Sequence, residues 1–182
     1  MRYVVTGGAG FVGSNLTKLL VKEGHDVVVI DNLVKGKKEN LSQVIDEIEF
    51  VKADIRNYDD MEKNFQNIDG IFHQAALTIV QDSFDNIQEY HEVNVVGTEN
   101  IFKLANKHNV KVVYASSSSV YGHKDIMPIK EDVIREPINP YGQTKLDDEH
   151  LYEKYSKMGT SIIGLRYFNI FGEGQTLEYA GV

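Results

Sequence analysis

The chain has 182 residues, of which 42% are hydrophobic and 25% charged, so it is about one domain long and can bury a sizeable core. It carries 27 Asp and Glu against 19 Lys and Arg, and this net charge of −8 opposes binding to nucleic acids or to anionic membranes. With no cysteine, disulfide frameworks and thiolate zinc sites are excluded. No apolar run exceeds four residues, whereas a membrane span needs about 20. Since no secretory leader precedes the first predicted strand, we expect a cytoplasmic protein.

Six short β-rich runs recur along the chain and alternate with segments of helical pattern. We predict strands at residues 3–5, 27–30, 49–51, 71–72, 110–115 and 161–165. Strands that alternate with helices form βαβ units and a parallel sheet. The sequence therefore predicts an α/β fold of the Rossmann type, a doubly wound parallel sheet with helices on both faces.

Three helices have the clearest signals. The first has the i, i+4, i+7, i+8 spacing of one buried face, formed by Val12, Leu16, Leu19 and Leu20. The second covers about residues 86–108, where Gly97 permits close approach. The third begins near Pro140, which fits a first turn and follows a capping Asn139. In this third helix we expect the acidic run 147–149 to form a solvated face.

A glycine-rich turn joins the first strand to the first helix. In the sequence Thr6-Gly7-Gly8-Ala9-Gly10-Phe11-Val12-Gly13, we expect Gly7 to allow the tight turn and Gly10 to admit a pyrophosphate close to backbone N–H groups. Gly13 would let the helix pack closely, and the helix N-terminus favours an anion. This pattern predicts a dinucleotide site with contacts from Gly7, Gly10, Phe11, Val12 and Gly13.

An acidic residue at the end of the second strand selects the cofactor. Asp31 lies 18 residues after Gly13, where a carboxylate accepts hydrogen bonds from the adenosine ribose and repels a 2′-phosphate. The predicted cofactor is therefore NAD rather than NADP, with Asn32 beside the ribose. Asp54 and Ile55 follow the third strand and either meet the adenine or cap a helix.

A tyrosine and a lysine four residues apart open the third helix. Tyr141 and Lys145 share one helical face, and a nearby ammonium favours a phenolate, which gives a usable base near neutral pH. Such a pair also occurs by chance on helix surfaces. The serine tract at 116–119 favours the catalytic interpretation, because it ends the fifth strand, at the sheet edge where α/β proteins bind ligands.

In these motifs the chain resembles the extended short-chain dehydrogenase/reductase family and, within it, the nucleotide-sugar epimerases and dehydratases. The resemblance also rests on residues 73–76, Asn94 and the segment 166–169. It implies that Tyr141 is the catalytic base and that Lys145 lowers its pKa and holds the nicotinamide ribose. It further implies that Ser117 is the catalytic hydroxyl. The remaining implied contacts are Ala75 and Asn94 for the cofactor, and Ser117, Ser118 and Asn169 for the substrate.

The serine tract discriminates among activities within this family. Dehydratases resembling this chain carry an acid immediately before Val-Tyr-Gly, often with a second acid before it, but here the positions hold Ser119 and Ser118. Hydroxyls do not titrate in the useful range. The implied activity is 4-epimerisation of a UDP-sugar, of the UDP-glucose and UDP-galactose type, through a transient 4-keto intermediate. Another nucleotide-sugar oxidoreductase, a dehydratase with displaced acids, or a non-catalytic NAD sensor remain alternatives.

The sequence also predicts a domain boundary and an oligomeric state. We expect residues 1–167 to form the NAD-binding domain and residues 168–182 to begin a substrate region that is largely missing. The resemblance implies a two-fold homodimer through the two long helices, with Ile101, Leu151 and Tyr155 among the apolar side chains offered. The six histidines show no paired ligand spacing, so no metal site is predicted.

Overall fold

A computed structural model describes residues 1–125 and 127–175 of the chain. Six strands form one parallel sheet in the order β3-β2-β1-β4-β5-β6, the order of dinucleotide-binding folds. This arrangement confirms the predicted fold class. The strands are β1 (Arg2–Thr6), β2 (Asp26–Asp31), β3 (Glu49–Lys52), β4 (Gly70–His73), β5 (Lys111–Ser117) and β6 (Ile162–Tyr167).

Helices connect successive strands. They are α1 (Phe11–Lys22), α2 (Tyr58–Glu62), α3 (Val80–Asp85), α4 (Ile87–Tyr90), α5 (Gly97–His108) and α6 (Pro140–Lys157). Short 3-10 turns lie at Lys38–Leu41, Ile45–Glu47 and Ser118–Tyr121, and a π-helical segment covers His91–Val96. Among the described residues, no helix combines the length and the apolar character that a membrane crossing requires.

The sheet separates two apolar layers, as the alternation of its strands requires. Val4 and Val28 point into the layer that contains Phe102 of α5, whereas their neighbours Val5 and Val29 point into the layer beneath α1. Helices therefore cover both faces, as predicted. The carboxyl ends of all the strands lie at one edge of the sheet. Strands β2 and β3 extend the sheet to one side of β1 and strands β4 to β6 extend it to the other, so the switch point lies between β1 and β4.

Helix α1 presents a different face from the one that its apolar spacing predicts. Leu19 is 53% exposed, and the buried residues are Gly13, Ser14, Thr17 and Leu20. Because Gly13 packs directly against the turn, the inward face runs along positions 13, 17 and 20 and leaves Leu19 outside. The prediction for Leu19 is therefore wrong.

The helical stretch predicted at 86–108 is present but is not one α-helix. It consists of α4, the π-helical segment and α5. A Cβ added at Gly97 would lie 2.5 Å from Cδ1 of Ile55, which confirms the close approach expected at this position. At the start of α6, Oδ1 of Asn139 accepts a hydrogen bond from the Gly142 amide at 2.7 Å, so the predicted cap is also confirmed.

Candidate active site

The turn between β1 and α1 is shaped by backbone hydrogen bonds. The Gly7 amide donates to the carbonyl of Ile30 at 2.8 Å, and the Gly10 amide donates to the carbonyl of Gly7 at 3.0 Å. Gly7 has a φ of +68°, a conformation that glycine adopts without strain. A Cβ at Gly13 would lie 2.2 Å from the Gly7 carbonyl oxygen, so only glycine fits between helix and turn.

The same turn leaves room for an anion. A Cβ at Gly10 would meet a single atom within 4 Å, the Gly7 carbonyl oxygen at 3.2 Å, so the remaining space around it is open. Helix α1 starts directly after Gly10 with no side-chain cap and no acidic residue in its first turn. The amides of Phe11, Val12 and Gly13 thus form an uncapped helix N-terminus, which suits a pyrophosphate.

Asp31 ends β2 beside this turn and is 7% exposed. Its carboxylate accepts hydrogen bonds from the amides of Ala9 at 3.0 Å and Leu33 at 2.8 Å. Burial raises the pKa of Asp31, although both amides act in the opposite direction. The carboxylate therefore ties the glycine-rich turn to the loop after β2, and its contact with the adenosine ribose stays a prediction.

The residues after β3 are arranged around an ion pair. Asp54 accepts from Arg56 Nη2 at 2.7 Å and from Asn32 Nδ2 at 3.0 Å, and the hydrogen bonds from Arg56 lower its pKa to about 2. Asp54 does not cap α2, because that place is taken by Asn57. Ile55 is buried against Gly97, so its side chain belongs to the core. The adenine contact stays a prediction for the backbone of this segment.

The loop that follows β4 contains Ala75 and is held in place by Asn94. A Cβ on Gly7 would lie 2.6 Å from the amide nitrogen of Ala75, which brings this loop against the glycine-rich turn. Asn94, which is fully buried, accepts from the Leu77 amide at 2.8 Å and donates to the Leu77 carbonyl at 2.9 Å. It also donates to Thr144 Oγ1 at 3.0 Å. Both amide protons of Asn94 are therefore used to join the loop to α6.

Tyr141 and Lys145 lie on the buried side of α6, with exposed fractions of 9% and 3%. The Tyr141 amide donates to Ser83 Oγ at 3.2 Å, which anchors the first turn of α6 to α3. A Cβ at Gly142 would lie 2.9 Å from the carbonyl oxygen of Ser119, so this first turn packs directly against the serine tract. The surface-pair alternative is therefore wrong for Tyr141 and Lys145.

The four residues of the serine tract differ in their hydrogen bonds and in their burial. Ser117 Oγ accepts from the Ser119 amide at 3.1 Å and starts the 3-10 turn, so the hydroxyl lies where β5 ends. Ser116 Oγ donates to Glu149 Oε1 at 2.7 Å inside the protein. Ser118 and Ser119 are half-buried. The structure thus brings Ser117 to the sheet edge that also receives α6.

The prediction of a solvated acidic face on α6 is wrong for two of its three residues. Asp148 is fully buried and Glu149 is 4% exposed, while Asp147 is half-buried. Positions 148 and 149 are seven and eight residues after Tyr141, the same spacing that predicted the buried face of α1. That spacing is the sequence signal for burial of positions 148 and 149. Acidic residue types favour an exposed position and so conceal this signal.

Glu149 is the centre of a partly buried ion cluster. It accepts two hydrogen bonds from Arg166 and one from Arg135 Nη1, each at 2.8 Å. Arg166 also donates to the hydroxyl of Tyr121 at 3.0 Å. Although burial acts to raise it, these arginines and Ser116 hold the pKa of Glu149 below its ordinary value. The cluster fixes the loop before α6 against β6.

Sequence reasoning also missed the environment of His73, at the end of β4. The ring is 2% exposed, with Nδ1 2.6 Å from Thr6 Oγ1 and Nε2 2.9 Å from Thr98 Oγ1. Burial, assisted by the charge of Lys145, lowers the pKa of His73 to about 3. The imidazole is therefore neutral and links β1 to α5 beneath the site.

Asn169 lies just beyond β6 and is exposed. The chain then returns toward the cofactor turn, because Asn15 Nδ2 of α1 donates to the Glu173 carbonyl at 2.8 Å. The segment predicted to begin the substrate region therefore lies next to the helix that carries the glycine-rich turn. Residues 176–182 of that segment lie outside the described residues.

The chain matches the description "NAD dependent epimerase/dehydratase family" over residues 3–181. It is 38% identical over 176 residues to UDP-glucose 4-epimerase of Halalkalibacterium halodurans, covering 94% of this chain and 52% of that protein. The chain spans about half the length of the curated relatives that it matches.

Solved structures agree. A UDP-N-acetylglucosamine 4-epimerase from Methanobrevibacter ruminantium, in complex with UDP-N-acetylmuramic acid, superposes with a TM-score of 0.92 at 35% identity. That match covers 96% of this chain and 57% of the other. A dTDP-glucose 4,6-dehydratase from Streptomyces venezuelae, with NAD bound, gives 0.93 at 31% identity and covers 98% and 59% of the two chains.

Proposed function

Because the chain belongs to the NAD dependent epimerase/dehydratase family, we propose that it supplies the cofactor-binding and catalytic residues of a UDP-sugar 4-epimerase. NAD is the cofactor of this family. The uncapped N-terminus of α1, the space at Gly10 and the Asp31 carboxylate fit it. We expect UDP-glucose and UDP-galactose to be the type of substrate, as the names of several relatives suggest.

The observation that carries this proposal is the meeting of α6 with the serine tract at the carboxyl edge of the sheet. It puts Tyr141 and Lys145 on the element that packs against Ser119, two residues after Ser117. A sensor would need the glycine-rich turn and Asp31, but it would have no use for a buried base with an ammonium partner. An enzymatic role therefore accounts for more of this arrangement.

A second observation favours epimerisation over elimination. Elimination of water needs an acid and a base at the sugar, and the tract offers only the hydroxyls of Ser118 and Ser119. The buried carboxylates closest in sequence to the catalytic pair do not replace them. Asp148 is paired with Lys145, and Glu149 is held ionised by Arg135 and Arg166. Neither is free to protonate a departing hydroxyl.

In the proposed reaction, each residue has one role. Tyr141, as phenolate, removes the proton of the sugar 4-hydroxyl and later returns it, while Ser117 donates a hydrogen bond to the same oxygen. Lys145 keeps the phenol acidic and binds the nicotinamide ribose. Bound NAD supplies a reversible hydride acceptor. Since Ser117 and Tyr141 contact the oxygen at which charge develops, their interactions are strongest in the transition state.

The domain boundary follows from the same arrangement. We propose that residues 1–167 are the NAD-binding domain and that residues 168–182 begin the substrate region, where Asn169 contacts the diphosphate. The 182-residue chain should then bind NAD but position a UDP-sugar poorly, and orientation alone is worth about 7 to 11 kcal/mol. We expect NAD binding by calorimetry, with little conversion of UDP-glucose to UDP-galactose by the chain alone and robust conversion when a substrate region like that of its relatives is joined to it.

Deuterium labelling tests the reaction type in the form that carries a substrate region. Deuterium placed at sugar C4 should remain in the product, and no solvent deuterium should enter C4 or C5. Exchange at C5 would indicate a dehydratase. NAD binding without any sugar chemistry, across a panel of UDP-sugars, would indicate a sensor. A cytoplasmic location stays a prediction from the sequence.

We also propose a homodimer, with a changed set of contacts. Ile101 and Tyr155, which were expected to face a partner, are 0% and 4% exposed and pack inside the chain, and Leu151 is half-buried. The apolar side chains that α3 and α4 expose most are instead Phe84 and Ile87, at 52% and 59%. Such a patch fits a self-complementary interface. Light scattering should give twice the chain mass, and Phe84→Ser should shift the protein toward monomer.

A further inference from the structure

Lys145 forms a buried ion pair with Asp148, three residues later on α6. Lys145 Nζ is 3.0 Å from Asp148 Oδ2, and the two side chains are 3% and 0% exposed. Removing two charges from water costs several kcal/mol per ion, so two apolar residues of similar volume in place of the pair would often be as stable or more stable. The role that the family resemblance gives to Lys145 involves the cofactor and Tyr141, and it leaves the carboxylate unexplained.

The groups around the Lys145–Asp148 pair come from four elements. Lys145 and Asp147 are on α6 itself, His73 lies on β4, Tyr114 on β5 and Thr98 on α5. His73 is neutral and its two ring nitrogens already face Thr6 and Thr98. The other carboxylate oxygen, Oδ1, has no hydrogen-bond partner within the part of the chain that the structure describes. Lys145 is therefore the cation that balances this carboxylate.

The geometry of an ammonium explains what the pair can do. A lysine ammonium has three N–H donors, and Asp148 takes one of them on the interior side of α6. The other two remain for the cofactor ribose and the phenol oxygen of Tyr141, one helical turn earlier. We propose that Asp148 is a positioning residue that fixes Lys145 Nζ and keeps it protonated, so that Tyr141 loses its proton more readily. Its use in catalysis rests on the proposed function.

Two electrostatic effects of Asp148 on Tyr141 oppose each other. The carboxylate is itself a negative charge, and it makes a phenolate seven residues away less favourable. It also keeps the nearer ammonium charged: burial opposes the charged form of Lys145, but Asp148 and Tyr141 together raise its pKa. An ammonium that is 3% exposed and has no counter-ion gives up its proton. Loss of the ammonium is the larger effect, so removing Asp148 should make Tyr141 less acidic.

A spectrophotometric titration of the 182-residue chain with NAD measures this directly. Phenolate absorbance is followed against pH, and the curve of a matching Tyr141→Phe variant is subtracted to leave Tyr141 alone. We expect Asp148→Asn to raise the midpoint of Tyr141 ionisation by about 1 pH unit or more, the size expected for losing a nearby opposite charge. Asp148→Glu should keep the midpoint close to that of the parent. Asp147→Asn, which removes the same charge one residue earlier, should leave it unchanged.

The outcomes separate this inference from the proposed function. A midpoint that falls or stays constant in Asp148→Asn overturns the positioning role, even if the parent Tyr141 is acidic. A parent Tyr141 that titrates like an ordinary phenol contradicts its role as a base, and with it the proposed function. If Asp148→Asn does not fold by circular dichroism, Asp148→Ser, whose smaller side chain admits water, replaces it in the same comparison.

Discussion

The two sides of the site are held together by different kinds of interaction. Around the glycine-rich turn, the shape comes from backbone atoms: the Gly7 and Gly10 amides bond to carbonyls, and Gly13 fits against the Gly7 oxygen. Around α6, the shape comes from buried side chains: Asp148 pairs with Lys145 on the same helix, and Glu149 pairs with Arg135 of the preceding loop and Arg166 of β6. The cofactor side is therefore built mainly from backbone contacts, whereas the catalytic side depends on pairs between charged side chains.

The largest expected effect is on the catalytic side. Tyr141→Phe removes the proton-transferring group, so turnover in a form that carries a substrate region should fall by about 10² to 10⁴. NAD binding should be retained, because the glycine-rich turn and Asp31 are untouched. Tyr152→Phe, on the same helix but packed against the core, serves as the control. Near-normal turnover in Tyr141→Phe would rule out the assigned role.

Glu149→Gln tests the ion cluster that supports this side. Breaking a buried ion pair by removing one partner typically costs 3 to 5 kcal/mol, and the lower end applies here because Arg166 and Arg135 keep 20% and 27% of their side chains exposed. We therefore expect the free energy of unfolding in urea to fall by about 3 kcal/mol. Glu153→Gln also removes a contact to Arg135, but at an exposed carboxylate, and should change stability by less than about 1 kcal/mol. Equal losses in the two variants would contradict a special role for Glu149.

His73 should make stability depend on pH. Its pKa in the folded protein is lowered to about 3, so between pH 6.5 and 3 the unfolded chain binds a proton that the folded chain refuses. The contribution of His73 to stability should therefore fall with falling pH, by about 2 kcal/mol from pH 7 to pH 5. Asp148, whose pKa is raised by burial to about 6, acts in the opposite direction in this range.

The contribution of His73 is isolated by comparing slopes. In His73→Gln the unfolding free energy should lose less on acidification than in the parent, whatever its absolute value. His150→Gln, at an exposed position on α6, should keep the parent slope. The same slope in all three proteins would mean that the buried imidazole does not resist protonation.

The contrast between the two sides also explains what could be predicted from the sequence. The turn, Asp31 and the alternation of strands with helices follow from short motifs and periodicity, because glycines and helix N-termini act through backbone geometry that neighbouring residues determine. Asp148 and Glu149 were assigned to solvent because acidic residues are rarely buried without partners. Their partners include Arg135 and Arg166, which lie 14 and 17 residues from Glu149.

The predictions of which helix faces are buried were wrong at some positions for a related reason. Periodicity identifies which residues can share a face, but not the rotation of the helix about its axis. In α1 the rotation is decided by Gly13 against the turn, which exposes Leu19. In α5 and α6 the sheet and the opposing helix bury Ile101 and Tyr155, leaving other side chains for a partner. Contacts between elements, rather than composition, determine these outcomes.

The smallest expected effect belongs to the cofactor side, where one side chain adds selectivity to a backbone cradle. Asp31→Asn keeps the size of the side chain and removes its charge, but the amides of Ala9 and Leu33 then compete for a single acceptor oxygen. NAD affinity measured by calorimetry should fall about tenfold, because hydrogen bonds to an ionised acceptor are worth about 1.5 to 3 kcal/mol and the ribose loses part of one. NADP affinity should fall less or rise, since a 2′-phosphate no longer meets a like charge, so the preference for NAD over NADP becomes smaller.

The control variant is Asp26→Asn. Asp26 is an exposed aspartate at the opposite end of β2, so its replacement should change neither affinity. Equal affinities for the two cofactors in the parent would show that Asp31 does not select between them.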